Sequence, residues 1–182
     1  MSLIETTTPI GRYAPDFELL GIDEQVHHLG RYLKHHTAIG VVFLCNECSY
    51  VLEYIERLKK LQKQFEKQQF TIIGINANHG NQYHEESIKT MKEFARENQL
   101  NFPYLWDATQ DVARGFGVQQ TPAAFLIDQA GILRYGGAID DSHQAEAVQE
   151  SYLEKAIASL LAGTEISPKL TKVIGCPLKW RQ

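Results

Sequence analysis

Cys45 and Cys48 stand three apart where the apolar run ending Phe43-Leu44 stops and a strongly amphipathic segment begins at Tyr50. Two cysteines so spaced, at a strand-to-helix junction, form the arrangement a redox dithiol needs. The helix N-terminus offers unpaired N–H groups and the positive end of the helix dipole, both of which favour a thiolate. Cys45, at the start of the helix, is expected to be the more exposed thiol and to attack a substrate disulfide. Cys48, one turn on, is expected to resolve the mixed disulfide. Such exchange needs no metal and no organic cofactor, and none is assigned. Glu47 lies between the two thiols. At about 7 Å and an effective dielectric of about 40, its carboxylate disfavours a Cys45 thiolate by about 1 kcal/mol, so it reads as a pKa-modulating residue.

Blander roles compete for the same residues. A ring closed by Cys45 and Cys48 would contribute only about 2 kcal/mol by loop entropy, against about 5 kcal/mol for one from Cys45 to Cys176, so a stability staple would not be built this way. A zinc site needs about four N or S ligands. Cys176 is the other thiol of the chain, and its seven histidines are scattered. Cys176 reads first as a half-buried packing residue of a C-terminal tail, since cysteine packs as a small apolar side chain. Its second reading is a third redox thiol that reaches Cys45 or Cys48. Thr121-Pro122 reads locally as a strand-entry turn, Trp106 as core and Asp107 as a turn residue.

The elements that must position this chemistry follow from periodicity. Pro15–Leu19 alternates as a short strand and Gln25–Leu29 as its partner, with a helical turn over Leu29–Leu33. Thr37–Leu44 is β-branched and almost wholly apolar, which suits a central strand covered on both faces. Val51, Tyr54, Ile55, Leu58, Leu61 and Phe65 then form one stripe of a helix ending near Gln69. Thr71–Asn76 is the next buried strand, parallel to the first through a right-handed crossover. After a polar loop at Ala77–Glu86, a helix is predicted over Ser87–Asn98 with Ser87 as N-cap. A short extended piece at Pro103–Trp106 and a short helix at Asp111–Phe116 follow. Ala123–Ile127 and Ile132–Tyr135 form a hairpin, and a last helix runs over Gln144–Leu161.

With 182 residues, 43% of them apolar, the chain can bury the core of a single domain. A formal net charge of −4 gives no basic field and argues against a nucleic-acid partner. Lys169, Lys172, Lys179 and Arg181 make the end of the chain mildly basic, as a solvated tail would be. The first residues lack a basic-then-apolar leader pattern, and the longest apolar run, Ala38–Cys45, is too short to span a bilayer. The expectation is a cytoplasmic protein with no membrane partner.

This order of elements, with Cys-x-x-Cys closing the first central strand and Thr121-Pro122 opening the hairpin, resembles the thioredoxin superfamily. More narrowly, Phe43–Val51, Asn101–Asp107, Thr121–Asp128 and Ile174–Trp180 resemble blocks of its peroxiredoxin-like, AhpC/TSA-related branch. The resemblance spans about Pro15 to Trp180. It implies an α/β, thioredoxin-like fold: a central mixed sheet flanked by helices, with an N-terminal β-hairpin extension and an ordered C-terminal tail. The implied organisation is an irregular lead-in over 1–14, the domain over 15–163 and a tail packing on it over 164–182.

The resemblance further implies a thiol-disulfide oxidoreductase serving redox homeostasis through Cys45 and Cys48. Its substrate would be a protein or small-molecule disulfide or thiol, and a thioredoxin or glutathione system would reduce it. A cis-proline at Pro122 would face the dithiol, and the backbone beside Thr121 would pair with an extended substrate. Two alternatives stand beside this: an antioxidant, thiol-dependent peroxidase with Cys48 attacking peroxide and Cys45 resolving, and a binding module with a vestigial dithiol. Glu47 and Ser49 stand where the branch usually carries His and Pro. Val41, Cys45 and Pro122 occupy positions where a peroxidase would carry Pro, Thr and a peroxide-polarising Arg.

Overall fold

The computed structural model describes residues 8–80 and 87–181. The start of the lead-in and the second half of the polar loop at Ala77–Glu86 lie outside the described residues. In chain order the strands are β1 (Glu18–Gly21), β2 (Val26–His28), β3 (Ala38–Leu44), β4 (Phe70–Asn76), β5 (Tyr104–Trp106), β6 (Gln120–Thr121), β7 (Ala123–Asp128), β8 (Leu133–Gly137) and β9 (Cys176–Pro177). The α-helices are α1 (Leu29–His35), α2 (Ser49–Phe65), α3 (Ile88–Glu97), α4 (Asp111–Phe116) and α5 (Tyr152–Ala162).

Among the described residues the main sheet has seven strands in the order β2-β1-β5-β4-β3-β7-β8. β3 and β4 are buried along their whole length because their side chains are apolar on both faces. They pair in parallel from Ala38↔Phe70 to Leu44↔Asn76, while β7 runs antiparallel to β3 on the other side. β1 and β2 form the N-terminal hairpin, added to the sheet edge through β5. One face of the sheet is covered by α2, α3 and α5, which contribute Leu58, Phe65, Met91 and Ile157 to its core. The opposite face gathers Leu29, Phe43, Phe116 and Phe125.

Local signals account for most boundaries. Ser87 caps α3 in a reciprocal box with Thr90, and Gly117 and Gly163 close α4 and α5 at left-handed backbone angles. The first strand lies at Glu18–Gly21 rather than Pro15–Leu19, and the largest difference from expectation is at the last helix. The last helix begins at Tyr152 rather than Gln144, because residues 140–150 are folded as a loop that binds its own backbone. Asp141 N–H donates to Glu150 O, and Asp141 Oδ1 accepts from Gln149 N–H. Arg57 donates to the carbonyls of Ser142 and His143, and pairs with Asp140 at 2.6 Å. The apolar stripe of α5 that reaches the core is correspondingly short: Leu153, Ala156 and Ile157.

Candidate active site at the Cys45–Cys48 turn

β3 and β4 end at the same edge, so Cys45 leaves the sheet at the carboxyl ends of the two central parallel strands, where α/β sheets commonly hold ligands. Asn46 is held from two sides. Tyr104 OH donates to its Oδ1 at 2.8 Å, and its Nδ2 lies 3.4 Å from Thr90 Oγ1. Cys48 is the N-cap of α2, with extended backbone, and its carbonyl accepts the first helical bond from Leu52. Cys48 therefore sits at the positive end of a 17-residue helix whose first turn carries no acidic residue, while Cys45 lies in the turn three residues before it rather than at the start of the helix.

Thr121 joins this turn from across the sheet and is fully buried. Its Oγ1 lies 3.3 Å from Cys45 Sγ, and its carbonyl oxygen lies 3.5 Å from Cys48 Sγ. The Thr121–Pro122 peptide is cis, as the resemblance implied. Thr121 thus faces both sulfurs of the motif.

Cys176 is half-buried against the core, and it also reaches the motif, as its second reading had it. It forms a disulfide with Cys48, and Cys45 stays outside the bridge. The link is part of a larger return of the chain. β9 pairs antiparallel with β6, setting Thr121 opposite Cys176 and Gln120 opposite Pro177. Leu178 N–H then donates to Gln119 O at 2.9 Å. Further along, Lys179 N–H donates to Asn78 Oδ1, and Gln110 clamps both Lys179 O and the N–H of Arg181. The Arg114 guanidinium lies over the Trp180 ring.

Two expectations change here. In this form Cys45 is 2% exposed and Cys48 1%, so Cys45 is not a solvent-facing thiol; the returning segment covers the turn. Glu47 does not act on the turn alone, because Lys179 Nζ lies 3.5 Å from its Oε2. Both side chains are about half exposed, so that pair is weak, but it offsets part of the carboxylate's field. Gly175, Lys179, Asn78 and Gln110 escaped sequence reasoning as site-shaping residues. The block Ile174–Trp180, read as one unit with Cys176 at its centre, was the signal that could have found them.

Beside Pro122 opens a cavity of about 300 Å³, lined among others by Tyr54, Ile139, Asp140, His143, Tyr152 and Ile174. Burial pushes the Tyr54 phenol up to about 12, and the Arg57 guanidinium stacks on its ring. Burial also raises the Asp140 carboxyl, against the pull of Arg57. Among the described residues no cluster of three metal-ligating side chains occurs, and no helix is long and apolar enough to cross a membrane.

A mixed sheet carrying Cys-x-x-Cys at a strand-to-helix turn, faced by a cis-proline, defines a thioredoxin-like protein. The chain belongs to the AhpC/TSA family, whose model matches residues 10–136. Over its full length it is similar to the crystal structure of an uncharacterized conserved protein from Geobacillus kaustophilus, at 31% identity and a TM-score of 0.88, with 97% of that chain covered. A hypothetical protein from Sinorhizobium meliloti is similar at 30% identity and a TM-score of 0.85, over 96% of each chain. The thiol-disulfide oxidoreductase ResA of Geobacillus thermodenitrificans is 28% identical over 128 residues, 70% of this chain and 68% of the relative.

Proposed function

We propose that the protein is a thiol-disulfide oxidoreductase whose reacting groups are Cys45 and Cys48, with Thr121 and Pro122 as the substrate-binding edge. The observation that carries this reading is Thr121, which touches one sulfur through its hydroxyl and the other through its carbonyl. In the reducing direction, a Cys45 thiolate attacks a substrate disulfide and releases one substrate thiolate. Cys48 then attacks Cys45 Sγ, the second substrate thiol leaves, and a Cys45–Cys48 disulfide remains. A thioredoxin or glutathione system returns it to the dithiol. Substrates are protein or small-molecule disulfides, bound at Thr121 by strand addition where they are peptides.

The low cysteine content supports action in the cytoplasm, where disulfides are mostly transient and catalytic, and Cys176 is then a third redox thiol rather than a staple. Residues 15–163 serve as the catalytic domain and 164–182 as its tail. The test is insulin disulfide reduction by the wild type, Cys45→Ser and Cys48→Ser. Turnover above background in the wild type and its loss in each variant are expected; wild-type turnover by the variants would remove the dithiol reading.

The Cys48–Cys176 bond favours a second reading, an antioxidant peroxidase. Cys48 thiolate would attack the peroxide O–O bond, giving a sulfenic acid and an alcohol or water. Cys176 would then condense with it, forming the observed disulfide and releasing water. Val41 and Pro122, where a peroxidase would carry its helpers, weigh against it. Peroxide consumption with dithiothreitol, compared with the Cys48→Ser background, decides between the two.

A further inference from the structure

The segment around Cys176 occupies the place where the proposed reaction needs its substrate. It is extended, antiparallel to the backbone of Thr121, and disulfide-bonded to the motif. Gly175 shows how close the fit is: a Cβ there would lie 2.0 Å from Thr121 O, closer than any real contact. Its backbone is not in the left-handed region, so only space excludes a side chain. The segment is also separable from what precedes it. Thr171 is locked to the sheet by Tyr135 OH, Ala138 N–H and Gly136 O. Val173 packs in the core. Beyond it Ile174 is 57% exposed, so a hinge between Val173 and Gly175 would lift the strand, at the cost of withdrawing Leu178 from the core.

We infer that residues 174–180 are a resident substrate strand, and that the oxidised protein exists as two disulfide isomers, one latched and one open to peptides. This rests on the dithiol reading above. The interconversion is internal exchange. Cys45 loses its proton and attacks Cys48 Sγ; the Cys45–Cys48 bond forms as the Cys48–Cys176 bond breaks; Cys176 leaves as a thiolate and takes up the proton. No external oxidant or reductant is consumed. In the latched isomer both motif sulfurs are buried and the β6 edge is filled, so a protein substrate is excluded. In the open isomer the edge and the flank of the cavity at Pro122 are available to an extended peptide with a small residue, glycine by preference, before its cysteine. The Glu47–Lys179 pair and the Arg114–Trp180 contact help to hold the strand on the domain.

The test uses full-length protein with Gly175→Ala, which retains all three thiols, and Cys176→Ser as a second variant that cannot latch. Each is oxidised with one equivalent of diamide, quenched with acid, alkylated and mapped by non-reducing mass spectrometry. Wild type is expected to hold mainly Cys48–Cys176; Gly175→Ala is expected to shift to Cys45–Cys48 with Cys176 alkylated. In insulin reduction both variants should show a KM lowered several-fold, as expected when a self-occupied site is vacated. A synthetic Ile174–Trp180 peptide with Ser at the cysteine position should raise the KM of Cys176→Ser again. Wild-type disulfide distribution and KM in Gly175→Ala, or no competition by the peptide, overturns the resident-strand proposal while leaving the dithiol reading intact. That reading falls separately, if Cys45→Ser and Cys48→Ser keep wild-type turnover.

Discussion

Thr121 stands opposite Cys176 in an antiparallel pair, and its carbonyl oxygen lies 3.5 Å from the Cys48 sulfur to which Cys176 is bonded. The residue that faces the dithiol is thus also the residue on which the returning strand is built. The Cys-x-x-Cys motif, the β6 edge and the tail meet at one backbone position.

The first consequence concerns stability. Cys48 and Cys176 are 128 residues apart, and a ring of that span restricts the unfolded chain by about 5 kcal/mol. A Cys45–Cys48 ring contributes about 2 kcal/mol by the same relation. Urea unfolding of oxidised and reduced protein should therefore differ by several kcal/mol in the wild type and by much less in Cys176→Ser. An unchanged difference in the variant contradicts the bridge as the oxidised ground state.

Glu47 and Lys179 lie 3.5 Å apart and are both half exposed, so their direct interaction is worth at most about 1 kcal/mol. Its effect on Cys45 is a matter of sign. Glu47→His should speed iodoacetamide alkylation of Cys45 in the reduced protein, and Lys179→Ala should slow it. In the double variant the two effects should not add, because each depends on the other partner. Strict additivity of the logarithms of the rates argues that the pair does not bear on the thiol.

Asp107 offers a pH signature. It is buried, its Oδ2 accepts from Ala113 N–H, and its Oδ1 has no hydrogen-bond partner. Burial raises its carboxyl above the ordinary value, with backbone N–H groups opposing. The folded protein then holds a proton over a window in which the unfolded chain has lost it. Stability from this group falls as pH rises through that window. Asp107→Asn should be stabilising near neutrality, with a gain that shrinks on acidification. Denaturation of both proteins across a pH series measures this, and a gain independent of pH contradicts it.

Arg57 and Asp140 form a largely buried pair beneath the cavity at Pro122. Arg57→Met leaves a buried carboxylate unpaired and releases the Ser142 and His143 carbonyls, at a cost of about 3 kcal/mol. Adding Asp140→Asn should restore part of that loss, because the uncompensated charge disappears. Equal unfolding midpoints for the single and double variants would speak against a charge-based cost.

Much of this was legible in the residues. The unbroken apolar run of β3, the Val51–Phe65 stripe, Ser87 before α3 and Gly117 after α4 each carry a local signal, and together they define a βαβ core with a hairpin. Cys45, Glu47, Cys48, Thr121, Pro122 and Cys176 do meet at one place. The start of α5 was illegible because Arg57, 83 residues from Asp140, shapes the preceding loop from outside it. The reach of Cys176 to the motif was one of its two readings, but the pairing of β6 with β9 was illegible because each has two residues, too few to show any period.

The most direct test of the central claim is trapping. Cys48→Ser, incubated with insulin and mapped under non-reducing conditions, should accumulate a mixed disulfide between Cys45 and an insulin cysteine, since the resolving thiol is missing. A Cys45 that remains unmodified in this variant while insulin is reduced at the wild-type rate would contradict exchange through Cys45 and Cys48.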